Sequence, residues 1–154
     1  MTEALVAYLH YSAIIVMGAA LFTEFSRCHE DMQPPDIRVL ARADVVYFIA
    51  AIAVLATGLA RVFLVGKGVA YYSHNPVFYI KLALFLALGL LSIPPTMQFI
   101  RWNRALKSGQ GRILNGDQIS ATRHYVIAEL IIFLFIPLAA VLMARGFGVQ
   151  AVPP

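Results

Sequence analysis

Four long apolar stretches govern what this chain can become: Leu5–Phe25, Val45–Leu64, Val77–Ile100 and Val126–Ala144, of 21, 20, 24 and 19 residues. A helix needs about 20 apolar residues to cross the hydrocarbon core of a bilayer. In lipid the backbone must satisfy its own polar groups, which favours helices over short alternating strands at these lengths. Four such stretches in 154 residues leave nothing to make a soluble globule. The chain is 60% apolar and 13% charged, with a mean hydropathy of +0.76. A domain this small cannot hide that much apolar surface from water. Soluble enzymes, disordered chains, disulfide scaffolds and nucleic-acid modules are set aside on that ground. The expected fold is all-α, an antiparallel four-helix membrane bundle forming one domain over residues 1–154.

The connections carry turn residues, as in Gln33-Pro34-Pro35-Asp36, Gly66-Lys67-Gly68 and Ser108-Gly109-Gln110-Gly111. The first stretch begins Met1-Thr2-Glu3, without the basic leader of a cleaved signal, so it is expected to be retained. Arg27, Arg38 and Arg42 in the first connection and Arg101, Arg104, Lys107, Arg112 and Arg123 in the third place eight positive residues on one side. Arg61, Lys67 and Arg145 place three on the other. By the positive-inside rule the eight are cytoplasmic, which puts both termini on the outer side. The lone Cys28 is expected to be a surface thiol. Pro94-Pro95 should distort span three, and Pro137 should kink span four. Ala50, Ala53, Ala56 and Ala60 form a small-residue stripe on span two that lets another helix approach closely.

Ionisable residues inside the spans are the exceptions that point to function. They fall into two layers. His10 lies about 8 Å below the outer end of span one and Lys81 about 6 Å below that of span three, at 1.5 Å per residue. Arg61 is three residues short of the outer end of span two, so antiparallel packing brings the three to one level. Tyr8, Tyr11, Tyr71, Tyr72 and Tyr79 surround that level as an interfacial belt. The inner layer holds Glu24, Arg27, Arg42, Asp44, Arg123, His124 and Glu129. Glu24 and Arg27 form an i, i+3 pair. Glu129, the deepest, needs a proton or a cation, with Arg42 and Arg123 as candidates.

Three chemistries suit these layers. A porphyrin would take His10 as an iron ligand, with Arg61 and Lys81 on its propionates or Lys81 as a second axial ligand. A copper path would use Met17, Met32, Met97 and Met143, which are scattered. A proton relay would run through His10, Lys81 and Glu129, with Glu24 and Arg123 in the inner layer and Ser12, Thr57 and Ser92 as the sparse polar steps between.

Several short motifs carry a resemblance to a known group. They are Leu9-His10 opening span one, Gly18-Ala19-Ala20-Leu21-Phe22 before Arg27, Gly58-Leu59, Lys81-Leu82-Ala83-Leu84 opening span three, and Arg123 with Glu129. In this order the chain resembles the small four-helix membrane proteins that include the HemJ-type protoporphyrinogen IX oxidases and the CopD-like copper-resistance domain. Met17 stands where the group has a tryptophan, and Ala128-Glu129 replaces its Asn-Glu pair before a proline. The resemblance implies haem b held by His10 with Lys81 near the site, and an oxidoreductase that oxidises a porphyrinogen and passes electrons to a quinone. A CopD-like metal or solute permease is the alternative, as is a non-catalytic subunit of a larger membrane complex. A homodimer through the Ala stripe is a further expectation.

Overall fold

The computed structural model describes residues 1–65, 69–109 and 114–148, without the side chains of Ala70 and Tyr71. Gly66, Lys67, Gly68, Gln110, Gly111 and Arg112, which entered the charge count and the turns above, lie outside the described residues, as does the Tyr71 side chain.

Helix α1 spans Thr2–Arg27 and α2 spans Pro34–Ala60, running on through one π-helical turn, Arg61–Val65. A short α3 (Val69–Ser73) leads into α4 (Pro76–Leu91), α5 (Ile93–Lys107) and α6 (Gly116–Ala144). Four helical units are long and apolar enough to cross a membrane: 2–27, 34–65, 76–107 and 116–144. The expected four-helix membrane bundle is the fold observed, and no strand occurs among the described residues.

The helices outrun the apolar stretches because their polar ends cap themselves. Pro34-Pro35 start α2 rather than turning the chain ahead of it, since a proline at the first helical position lacks only a donor that has no partner anyway. The Gln33 amide donates to Asp36 Oδ2 at 2.9 Å, and Arg27 pairs with Asp36 Oδ1 at 3.0 Å. Arg27 therefore closes the α1–α2 connection and does not pair with Glu24 as the spacing led one to expect. Asn75 and Asn115 cap α4 and α6 by accepting from the amides of Val77 and Asp117. Pro94-Pro95 divide span three at Ser92, between α4 and α5. Helix α6 runs unbroken through Pro137, whose missing amide leaves the Phe133 carbonyl without its usual helical donor.

The bundle is apolar outside as well as in. Phe48, Leu64, Ile15 and Leu134 are 64–80% exposed, which only a lipid-facing surface tolerates. Inside, Leu21, Leu40, Phe99 and Val126 are fully buried. Helix α2 packs most extensively on α1, and α4 on α6. Ala50 is buried and Ala53 packs against the core, so half of the Ala stripe is used within the bundle; Ala56 is exposed. Gly18 of α1 meets α6: a Cβ there would stand 2.8 Å from the Phe133 ring.

Candidate functional site

His10, Arg61 and Lys81 come together as the outer layer required. They line one cleft of about 320 Å³ with Tyr11, Tyr72 and Phe78, walled by Ile14, Val54, Phe85 and Pro137. The cleft is partly open, and its volume lies at the lower end of the range for ligand pockets.

His10 is buried in α1 against α2. Its Nδ1 lies 2.9 Å from Thr57 Oγ1. The Thr57 hydroxyl has a single proton, and it is directed to the carbonyl of Ala53, one turn back. Thr57 Oγ1 therefore accepts, and Nδ1 carries the ring proton. Nε2 is left with the lone pair, which makes His10 a metal ligand or a hydrogen-bond acceptor with a fixed tautomer. Gly58 makes this possible: a Cβ at that position would sit 3.3 Å from His10 Cε1, tight enough to push the ring.

The two cations meet aromatic faces rather than carboxylates. The Arg61 guanidinium is 5.5 Å from the centre of the Tyr11 ring, and Lys81 Nζ is 5.8 Å from that of Phe78. Arg61 opens the π-helical turn, a distortion that often marks functional sites. No carboxylate lines the cleft among the described residues. Two positive charges in an apolar recess without a counter-charge favour an apolar ligand bearing acidic groups. Tyr72 is a buried wall of the cleft, whereas Tyr8, Tyr11 and Tyr79 are mostly exposed, as interfacial residues are.

The inner layer separates into structural and unexplained parts. Arg123 does not reach Glu129. Its Nη1 donates to the Cys28 carbonyl, and its guanidinium stacks 4.8 Å over the Phe25 ring, tying α6 to the end of α1. Arg42 is exposed. Cys28 is fully buried instead of lying on the surface, with its thiol facing the Ile119 carbonyl at 3.9 Å. Burial pushes that thiol up to about 11, against the nearby Arg123 charge, which pulls the other way. Glu24 and Glu129 are almost completely buried, and Glu24 Oε1 and both carboxyl oxygens of Glu129 have no hydrogen-bond partner. Asp44 accepts from the Thr96 hydroxyl of α5.

Thr57 and Gly58 were visible in the sequence only as a polar step and a short motif. Their role depends on α1 laying His10 across them. Tyr47, one turn after Asp44 on α2, carries no distinguishing signal in an aromatic-rich span, yet it is buried beside the inner carboxyls.

The methionines proposed for copper do not assemble. Met17 and Met32 are core residues, Met97 is half-exposed, and Met143 lines the cleft. No group of three His, Cys, Asp or Glu side chains is placed to hold a metal ion among the described residues.

With the geometry in hand, comparison with known families is decisive at one level. A family described as "Predicted membrane protein (DUF2214)" matches residues 2–148. The chain belongs to this DUF2214 family. The match spans all four membrane helices, and the family's description extends to membrane residence and no further. No curated protein and no solved structure matches the chain.

Proposed function

We propose that this DUF2214 protein binds haem b in the outer cleft and serves as a membrane oxidoreductase; His10 Nε2 would hold the iron, and Arg61 and Lys81 would pair with the propionates. The observation that carries this reading is the Thr57–His10 hydrogen bond, which leaves Nε2 with its lone pair in a cleft holding two uncompensated cations. The donor set suits the group: one imidazole of fixed tautomer, two cations for two carboxylates, and an apolar wall. Bound haem would supply one-electron chemistry. The protein's own part is to orient the imidazole through Thr57, to keep the ring seated against Gly58, and to place positive charge where acidic groups enter. Porphyrinogen as substrate and a membrane quinone as acceptor follow from the resemblance in the sequence. The orientation that puts the cleft and both termini on the outer side rests on the positive-inside count, and the bacterial inner membrane on the resemblance.

The test is an absorption spectrum of the detergent-purified protein, made with ample haem and recorded oxidised and dithionite-reduced. The expected result is a Soret band that shifts on reduction and is lost in His10→Ala. Absence of the band in the unmodified protein overturns the reading.

A further inference from the structure

The inner half of the bundle contains a second group of residues that the cleft does not use. Glu24 of α1, Asp44 of α2 and Glu129 of α6 lie there, near enough that Glu24 feels the charge of both others and Glu129 that of Asp44. Tyr47 of α2 is buried beside them, its hydroxyl turned to the Glu129 carboxyl without closing a hydrogen bond. Glu24 is 2% and Glu129 1% exposed, with three carboxyl oxygens unpartnered between them. From α5 the only polar group engaged with the set is the Thr96 hydroxyl on Asp44. The nearest cation on α6, Arg123, is committed to the Cys28 carbonyl and the Phe25 ring. Among the described residues no cation offsets any of the three carboxyls.

Three carboxylates buried in one half of the bundle without a counter-charge would cost far more than it could sustain. Their spacing does not suit a coordinated metal ion. The species that neutralises them at no cost in volume is the proton. Glu24 stands one turn from the inner end of α1, so the group adjoins the inner rim, while Glu129 is deeper. Carboxyl oxygens that lack a protein partner accept readily from a proton or an internal water.

We propose that Glu24, Asp44 and Glu129, with Tyr47, form a proton-loading site in the inner half of the bundle that exchanges protons with the inner aqueous face. The step is simple protonation: a proton from water joins a carboxylate oxygen on loading and returns to water on release. This site is independent of what the outer cleft binds.

Infrared difference spectroscopy on the full-length protein in lipid nanodiscs tests it. At neutral pH the protein should show the C=O stretch of neutral carboxylic acids, and the band should shift when the buffer is exchanged for D2O. Glu129→Gln and Glu24→Gln, which keep shape and volume, should each remove part of the band, while Glu3→Gln at the exposed start of α1 should leave it intact. Tyr47→Phe should move the band without abolishing it. The proposal is overturned if no such band exists, if the band survives both substitutions, or if it fails to respond to D2O. It is equally overturned if sodium or potassium at constant pH erases the band, because the site would then belong to a cation. A glutamine variant that fails to assemble is replaced by Tyr47→Phe, whose unshifted band would also count against the proposal.

Discussion

At the scale of the residue, the cleft is built on a single hydroxyl proton. Because Thr57 spends it on the Ala53 carbonyl, His10 has one available tautomer. Partners that orient a ligating imidazole typically contribute 10–100-fold in affinity, so Thr57→Val should weaken haem binding by roughly that factor while leaving the helices intact. A haem titration followed at the Soret band checks this. Gly58→Ala tests the same contact from its other side. A Cβ 3.3 Å from the ring forces the imidazole to give by a few tenths of an ångström, and a bulkier side chain at 58 should abolish binding. Cys28 makes an opposite prediction, of inertness. A thiol raised to about 11 holds on the order of one thiolate per thousand molecules at pH 8. Maleimide should therefore modify it slowly in the folded protein and promptly once the bundle is unfolded. Prompt labelling of the native protein would contradict its burial.

At the scale of the element, close approach decides which substitutions a helix accepts. Gly18 and Gly89 are both helical glycines in apolar runs, and only Gly18 stands in a run of small residues, Gly18-Ala19-Ala20. In the structure a Cβ on Gly18 meets the Phe133 ring at 2.8 Å, whereas nothing lies within 4 Å of one on Gly89. Gly18→Leu overpacks the α1–α6 contact and should cost about 1–3 kcal/mol. Gly89→Ala removes a flexible residue from a helix interior and should stabilise by up to about 1 kcal/mol. Thermal unfolding of the two variants in one detergent checks both signs. The π-helical turn at Arg61 and the break at Ser92 are likewise element-scale features. The prolines announced the second, while nothing in the composition of Arg61–Val65 announced the first.

At the scale of the whole molecule, the bundle keeps its polar chemistry inside and its apolar surface outside, and its charges give the proposed direction its test. With Cys28 replaced by Ser, Glu3→Cys should react with an impermeant thiol reagent on intact cells. Arg104→Cys should react only after permeabilisation. The reverse pattern would invert the orientation and move the cleft to the cytoplasmic side. The Arg27–Asp36 pair at the α1–α2 connection has one half-exposed partner, so removing it should cost no more than about 1 kcal/mol.

What the sequence determined by itself follows from length and hydropathy. Spans of about twenty apolar residues cannot fold otherwise in lipid, so the four helices, their antiparallel order and the shared level of His10, Arg61 and Lys81 were legible before any coordinates. Depth along a helix is a linear property of sequence, and it survived into the structure. Azimuth and partner choice are not. They depend on how the helices rotate against one another, and only the tertiary structure decided them. It turned Arg27 to Asp36 instead of Glu24, and gave Arg123 to a carbonyl instead of Glu129. It also buried Cys28 and set Thr57 and Gly58 beneath His10. Contacts between residues 47 or 95 positions apart leave no trace in local pattern, because they arise only when separate helices pack.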